Sequence, residues 1–522
     1  MNLAARLDPL NLDPTVKSAV EKAVAVLLDQ AQKELQAKDI KIQALTMELA
    51  YLRRIRYGAK SEALSHVHRD LFEDSWNEDL AAVEAELEKV TDPEPGLTVA
   101  KPKRPRAGRQ PLPPHLPRIE HRHEPDSCQC GQCGKSLVKI GEDITEQLDV
   151  EPAKFFVHRH IRPQYACKTC ETITAAAIPP AVIDGGLAAV GLLNWVLISK
   201  FVDHLPLYRL EQIAARDQVM LSRSTLGDWV GRLGVALQPL ADRLAEHLKQ
   251  RPTLHADETP VSQLDPGSGK TKKAYLWAYR SNDLEPGPPI IVFDYQPGRS
   301  GEHAKHFLNG WHGHLMVDDY GGYKHLFAAN RDSSPCVELG CLAHARRKFF
   351  DLHQANQSPM AQEALQRIGR LYEIERQAKD FSSETRKQFR QERAVPEMDT
   401  LHRWLIHTRA QTANGGSSAK ALDYTLKRWP ALIRYAKTGH LPIDNNVIEN
   451  TLRPIALGKK NWLFAGSERA GKRAAAIQTL LGTAKLNGLD PVTWLRETLE
   501  KLPTHPNSRI DELLPFPPGT TA

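Results

Sequence analysis

The 522-residue chain sets 69 Lys and Arg against 63 Asp and Glu, a formal net charge of +6. That balance excludes a histone-like polycation, so any grip on a polyanion must come from local patches. Apolar residues make up 41%, enough for more than one core at this length. No apolar run approaches the roughly 20 residues of a membrane helix, and the N-terminus lacks the basic-then-apolar layout of a secretion signal. A cytoplasmic protein with no membrane partner is expected.

The first apolar pattern runs Val24, Leu28, Ala31, Leu35, Ile42, Leu45, Leu49 and Leu52, spaced alternately four and three, with Lys38 at one seam position. This predicts a coiled coil of about four repeats, in which a seam lysine can set register and partner number. The other reading is a long helix packed on its own domain. A basic helix end, R-R-I-R-Y-G, follows from Arg53, and a further short helix runs to about Val90. Residues 1–90 are thus expected to be a helical, leucine-zipper-like coiled-coil region that makes a homo-oligomer.

Residues 91–117 carry eight prolines and the cations Lys101, Lys103, Arg104, Arg106 and Arg109. Such a segment cannot bury enough apolar surface to fold and reads as a basic linker. Extended, Arg104, Arg106 and Arg109 can lie in an A·T-rich minor groove.

Five of the seven cysteines fall between Cys128 and Cys170. Cys130 and Cys133 form one C-x-x-C pair, and Cys167 and Cys170 form a second after 33 residues that read as strands at Ile144–Val150 and Phe155–Ile161. Four thiolates from two such knuckles make a closed tetrahedral site for one structural Zn²⁺, and residues 118–180 read as a zinc-binding β domain. Cys128 is a fifth thiol that can compete for the metal. His158 and His160 are expected on the strand surface rather than at the metal.

Residues 181–250 are helical. L-E-Q-I-A-A-R-D-Q-V-M-L-S-R-S-T-L-G-D-W-V holds a helix, a turn and a second helix capped by Ser222 that opens on Arg223, Ser224 and Thr225. Both a helix-turn-helix for a major groove and a plain helical hairpin fit.

From Thr253 the period changes to two. L-H-A-D-E-T-P-V, K-K-A-Y-L-W-A-Y-R and I-I-V-F-D-Y read as three meandering strands, a short helix follows near Glu302–Leu308, and H-L-M-V-D-D is a buried fourth strand ending in Asp318 and Asp319. That order is the order of a ribonuclease-H-like α/β core. Asp257 and Asp318 then sit on neighbouring strands about 4.8 Å apart. V-E-L-G and a basic helix with Arg346 and Arg347 follow, completing a first core part at 251–350, and residues 351–440 read as a polar helical insertion. The core resumes over 441–485, and 486–522 is a C-terminal segment.

In that last core part, Asp444, Asn445 and Asn446 read as a helix start that places Glu449 in the first turn. Arg453, Lys459 and Lys460 follow with Trp462 interleaved, along with Arg469, Lys472, Arg473 and Phe464, a composition suited to a phosphate backbone beside a flat base. Three carboxylates, Asp257, Asp318 and Glu449, suit two Mg²⁺ ions (or Mn²⁺), which prefer hard oxygen ligands and support in-line phosphodiester cleavage. Glu258, Asp319 and Asp444 are the neighbouring acids set aside; alternation along a strand sends Asp257 and Glu258 to opposite faces, so only one of such a pair can reach a shared metal site.

H-A-D-E-T-P, D-D-Y-G-G-Y, C-L-A-H-A-R-R-K-F-F, L-P-I-D-N-N-V-I-E-N-T-L-R-P-I-A-L-G-K-K-N-W-L-F-A-G-S and T-A-K-L-N-G-L-D-P together resemble the transposases of the bacterial insertion sequence 66 family, across nearly the whole chain. The resemblance implies a DDE transposase with Asp257, Asp318 and Glu449 as catalytic acids. It also implies the element's terminal repeats and target DNA as partners in a nucleoid-associated setting, and two small companion proteins from the same element. The family usually has glycine where Asp319 stands, which leaves open which of Asp318 and Asp319 holds metal. Cys341 and His344 resemble a C-x-x-H pair of several DDE transposases, expected here to pack. The expected architecture is multidomain α+β: a coiled-coil helix, a zinc-binding β domain, a helical DNA-binding segment, and a ribonuclease-H-like α/β catalytic core with a helical insertion. A non-catalytic zinc-containing DNA-binding regulator and a ribonuclease-H-like nuclease without strand transfer are the alternatives.

Overall fold

The computed structural model describes residues 112–124, 135–151, 154–265, 270–328 and 336–519, with Gln129, Cys133, Ser268 and scattered positions between Lys33 and Glu86. Of the predicted seam, Leu35, Ile42, Leu45 and Leu49 are described and helical; Leu45 and Leu49 are buried within the chain, whereas Leu35 is exposed. Val24, Leu28, Ala31, Leu52 and the linker residues Arg104, Arg106 and Arg109 lie outside the described residues.

The first sheet is built on a long hairpin, β2 (Val138–Glu151) against β3 (Lys154–Ala166), with β1 (Arg118–Arg122) parallel to the middle of β3 and β4 (Ile173–Ala175) antiparallel to its last three residues. Both hairpin strands run well beyond the predicted limits. One end of the hairpin is apolar and packs Leu148, Val150, Phe155 and Val157 onto the following helices, while the cysteine end is wetter and carries only a small cluster around Leu137 and Cys167.

Three helices follow: α1 (Val190–Phe201), α2 (Leu207–Arg216) and α3 (Arg223–Leu248). Ser222 caps α3 as expected, its hydroxyl accepting the Thr225 N–H at 3.1 Å.

The second sheet contains β5 (Thr253–Asp265), β6 (Lys270–Ser281), β7 (Ile291–Gln296), β8 (His314–Val317) and β9 (Val337–Gly340), in spatial order β7-β6-β5-β8-β9. β5, β6 and β7 form the antiparallel meander, and β8 and β9 join in parallel after a short helix, α4 (Gly301–Phe307). Alternation divides the sheet cleanly. Ala256, Trp277, Tyr279, Val292, Leu315 and Val317 face the main core with α3. Val261, Leu276, Ala278, Ile291 and Phe293 face the opposite side.

That opposite side is covered in two parts. β8 and β9 contribute Met316 and Leu339 to a core shared with α5 (Leu342–Asn356), α6 (Pro359–Gln377), α8 (Val395–Ala410) and α9 (Ser417–Leu432), with α7 (Ser383–Phe389) alongside. This helical region was expected to be polar; instead Ala361, Ala364, Ile368, Leu371, Met398, Leu401 and Leu405 are buried, spaced three and four so that each helix turns one apolar stripe inward. β5 to β7 are covered by α10 (Asn446–Trp462), through Ile448, Leu452 and Ile455. α11 (Glu468–Leu486) and α12 (Pro491–Lys501) close the main core. Among the described residues, no helix is long and apolar enough to cross a membrane.

Candidate acid site and zinc knuckle

Strand pairing brings the two aspartates together. The last paired positions of β5 and β8 are His255 and Met316, so Asp257 and Asp318 each lie two residues further along neighbouring parallel strands. Asp257 shares its face with His255 and Ala278, the side that α10 covers, and Glu449 arrives there in the first turn of α10. Burial first, then the charges of Glu258, Asp318 and Glu449, push the Asp257 carboxyl up to about 7. Asp257 Oδ1 accepts the Glu258 N–H at 2.8 Å and Asp318 Oδ1 the Tyr320 N–H at 2.9 Å. Among the described residues no side chain donates to either aspartate, which suits a set of hard oxygen donors for Mg²⁺.

The neighbouring acids are each occupied. Glu258 turns to the opposite face, where Arg299 donates from Nε and Nη2 at 2.8 and 2.6 Å and Tyr323 donates at 2.7 Å. Asp319 faces Arg428 at 3.4 Å and Lys324 at 3.8 Å. Asp444 accepts from Tyr372 at 2.8 Å and caps α10 by accepting the Asn446 N–H at 3.1 Å.

α10 starts where expected, with Asn445 at the position before its first residue, but that asparagine does not act as a cap. Its side chain makes no cap bond; it is buried, accepts from His255 Nδ1 at 2.8 Å and donates to the Ala256 carbonyl at 2.9 Å. It therefore pins the start of α10 to the strand that carries Asp257. The Asn445 N–H donates to Cys341 Sγ at 3.2 Å, and burial first, then the Asp444 charge, push that thiol up to about 12. His344 is half-buried, with Nδ1 3.8 Å from Glu449 Oε1. Ligand atoms of Cys341, His344 and Glu449 all lie within 4.8 Å of one another.

Cations surround this site unevenly. Arg346 and Arg347 are exposed on α5 and line one cavity with His344, Phe350, Tyr372 and Glu449. Arg453 is exposed one turn beyond Glu449, and Lys460 is exposed further along. Lys459 is tied to β5 through the Pro260 carbonyl at 3.0 Å. Trp462 is half-buried against the cluster of Val261, Leu276 and Ile455 rather than displayed for a base. Arg473 is buried between α11 and α3, and Arg469 and Lys472 pair with Glu86 and Glu468. Arg223 does open α3, but it pairs with Glu211 of α2 at 3.0 Å.

At the knuckle, Cys133 Sγ lies 3.4 Å from Cys167 Sγ and 3.9 Å from Cys170 Sγ. A tetrahedral zinc with bonds of about 2.3 Å needs sulfurs roughly 3.8 Å apart, so these three thiols fit the ion. The N–H groups of Cys170 and Thr169 help lower the Cys167 thiol to about 6, toward the thiolate that metal binding needs. Cys128 and Cys130 lie outside the described residues. His158 and His160 are partnered rather than loose on the surface: His158 joins Asp149 at 2.7 Å and His121 at 2.8 Å, and His160 joins Gln147 at 3.1 Å and His123 at 3.0 Å.

Comparison with known proteins gives four family matches. Residues 185–473 match the family described as "Transposase IS66 family", residues 127–171 "zinc-finger binding domain of transposase IS66", residues 479–516 "IS66 C-terminal element", and residues 44–120 "Transposase C of IS166 homeodomain". Two relatives from Sinorhizobium fredii (strain NBRC 101917 / NGR234), the uncharacterized proteins y4jD and y4qI, are 36% and 37% identical. The first match covers 94% of this chain and 97% of the relative, and the second 91% and 89%. The zinc-finger match and the three clustered thiols together indicate zinc.

Proposed function

The chain belongs to the IS66 transposase family, and on that premise we propose that it is a DDE transposase that binds the ends of its insertion element, cleaves DNA strands there and joins them to target DNA. Support comes first from the placement of three carboxylates, on β5, just after its parallel neighbour β8, and in the first turn of α10, the helix that covers that face of β5. The strand order β7-β6-β5-β8-β9, an antiparallel meander extended by two parallel strands, favours a ribonuclease-H-like core.

Asp257, Asp318 and Glu449 would hold two Mg²⁺ or Mn²⁺ ions. When bound, such a pair activates the attacking oxygen of an in-line displacement and stabilises the leaving one. Burial and its acidic neighbours raise the Asp257 carboxyl, and a cation beside it would favour its ionised form. Glu258, held on the opposite face by the Arg299 ion pair and the Tyr323 hydrogen bond, stays out of the chemistry. Arg346, Arg347, Arg453 and Lys460 would hold phosphates beside the acids, fixing the strand without reading its sequence. The zinc domain, the α2–α3 hairpin and the basic linker with Arg104, Arg106 and Arg109 are the elements we assign to recognition of the terminal repeats. Self-association through the N-terminal helix and two companion proteins complete the proposed assembly.

The deciding experiment incubates the full-length protein with DNA carrying the ends of its element and a target plasmid, with and without Mg²⁺, beside Asp257→Ala. Metal-dependent joined products that vanish in the variant are expected. DNA that is bound but never cut, even with the companion proteins added, would favour a regulator; cutting without joining would favour a nuclease.

A further inference from the structure

The loop after β8 offers two adjacent carboxylates, and the helical region reaches in to separate them. Arg428 of α9 directs Nη1 toward Asp319 Oδ1 at 3.4 Å and donates from the same nitrogen to Glu338 of β9. Its Nη2 points at two main-chain carbonyls, Val317 at 3.4 Å and Asp318 at 3.3 Å. The side chain is 6% exposed. Lys324 adds a second cation 3.8 Å from Asp319, so two positive charges answer the two of Asp319 and Glu338. Asp318, by contrast, receives one backbone N–H, from Tyr320.

Burying a guanidinium is costly unless such a set of acceptors surrounds it, and its planar, rigid fork is preorganised to hold a carboxylate and a carbonyl pair at once, which a compact ammonium is not. We propose that Arg428 is a positioning residue for the acid site: it fixes the Val317–Asp318 backbone from the helical region and retains Asp319 as its ion-pair partner, so that Asp318 alone of the two faces the cation. The cation part rests on the transposase reading; the hold on the loop does not. The helical region is then more than a covering layer, because the second acid takes its place from it.

The test uses the full-length protein as wild type, Arg428→Lys, Asp319→Asn and Asp318→Asn. Hydrogen exchange of the segment 315–321, measured without metal, reports the loop itself. Arg428→Lys is expected to speed exchange there about tenfold or more with the thermal midpoint of the main core little changed, and unchanged exchange in a folded variant would overturn the proposal. If Arg428→Lys fails to fold, Glu338→Gln, which removes the carboxylate charge paired with Arg428 and leaves the cation, is read by the same criterion.

Terbium luminescence then reports cation affinity. Arg428→Lys should weaken it about 10- to 100-fold, as loss of an outer-shell partner does, while Asp319→Asn stays within about threefold of wild type. An Asp319→Asn loss equal to that of Asp318→Asn would make Asp319 a ligand and overturn the proposal. Terbium binding indifferent to Asp257→Ala and Glu449→Gln would instead sink the transposase reading, with the exchange comparison still deciding the role of Arg428.

Discussion

Asn445 ties helix to strand at the residue scale, and its removal is the sharpest local test. Asn445→Ala leaves the His255 Nδ1–H and the Ala256 carbonyl without their partner in a buried setting. An unsatisfied buried group costs about 1–3 kcal/mol, so urea unfolding should show a loss of about 2–4 kcal/mol, with turnover falling further as Glu449 loses its fixed distance from Asp257. At Glu449 itself, the proposed function predicts that Glu449→Gln abolishes cleavage and leaves DNA binding nearly intact in a gel-shift assay, because on that proposal it would remove a metal ligand and no phosphate contact. Both acids were legible as residues. The role of Asn445 was not, since an Asn before a helix ordinarily reads as a cap, and only contact with β5 assigns it otherwise.

At the element scale, the period of two in β5 was enough to send Asp257 and Glu258 to opposite faces, and the structure places them so. What the pattern did not show is that the face of Glu258 is equipped with Arg299 and Tyr323, residues distant in sequence. A second tie of this kind joins α3 to the C-terminal segment. Arg243 donates to both oxygens of Asp511, at 2.5 and 2.8 Å, with His247 at 3.3 Å, and Arg243 holds the Asp511 carboxyl down to about 2. A depressed acid stabilises the fold above its ordinary titration range, and the gain is lost as pH falls from about 4 toward 2. Since Asp511 is about half exposed, the gain is modest. Asp511→Asn should cost about 0.5–1 kcal/mol in urea unfolding at pH 7, a gap that narrows toward pH 3.

At the scale of the whole molecule, the cysteine knuckle and the rest of its hairpin depend on different things. Leu148, Val150, Phe155 and Val157 belong to the main core, whereas Leu137 and Cys167 form a small cluster of their own. Chelation should therefore open the cysteine end of the hairpin, around 133–144 and 163–175, while the apolar end and the five-stranded sheet stay protected in hydrogen exchange. Protection of the cysteine end after complete zinc removal would show that the metal is not what holds it.

The sequence by itself determined the order of strands and helices, the faces of β5, the knuckle spacing and the family, because periodicity, capping and cysteine spacing are local properties of a chain. It also carried the three acids. Only the tertiary structure decided which acids remain available: Glu258, Asp319 and Asp444 are set aside by Arg299, Arg428 and Tyr372, partners 41, 109 and 72 residues away. The same holds for the cations, where Arg473 and Trp462 turn inward and Arg346 and Arg453 remain outside. Charge and aromaticity are visible in a sequence, but desolvation and pairing depend on which distant surfaces the fold brings together, and that is settled by packing.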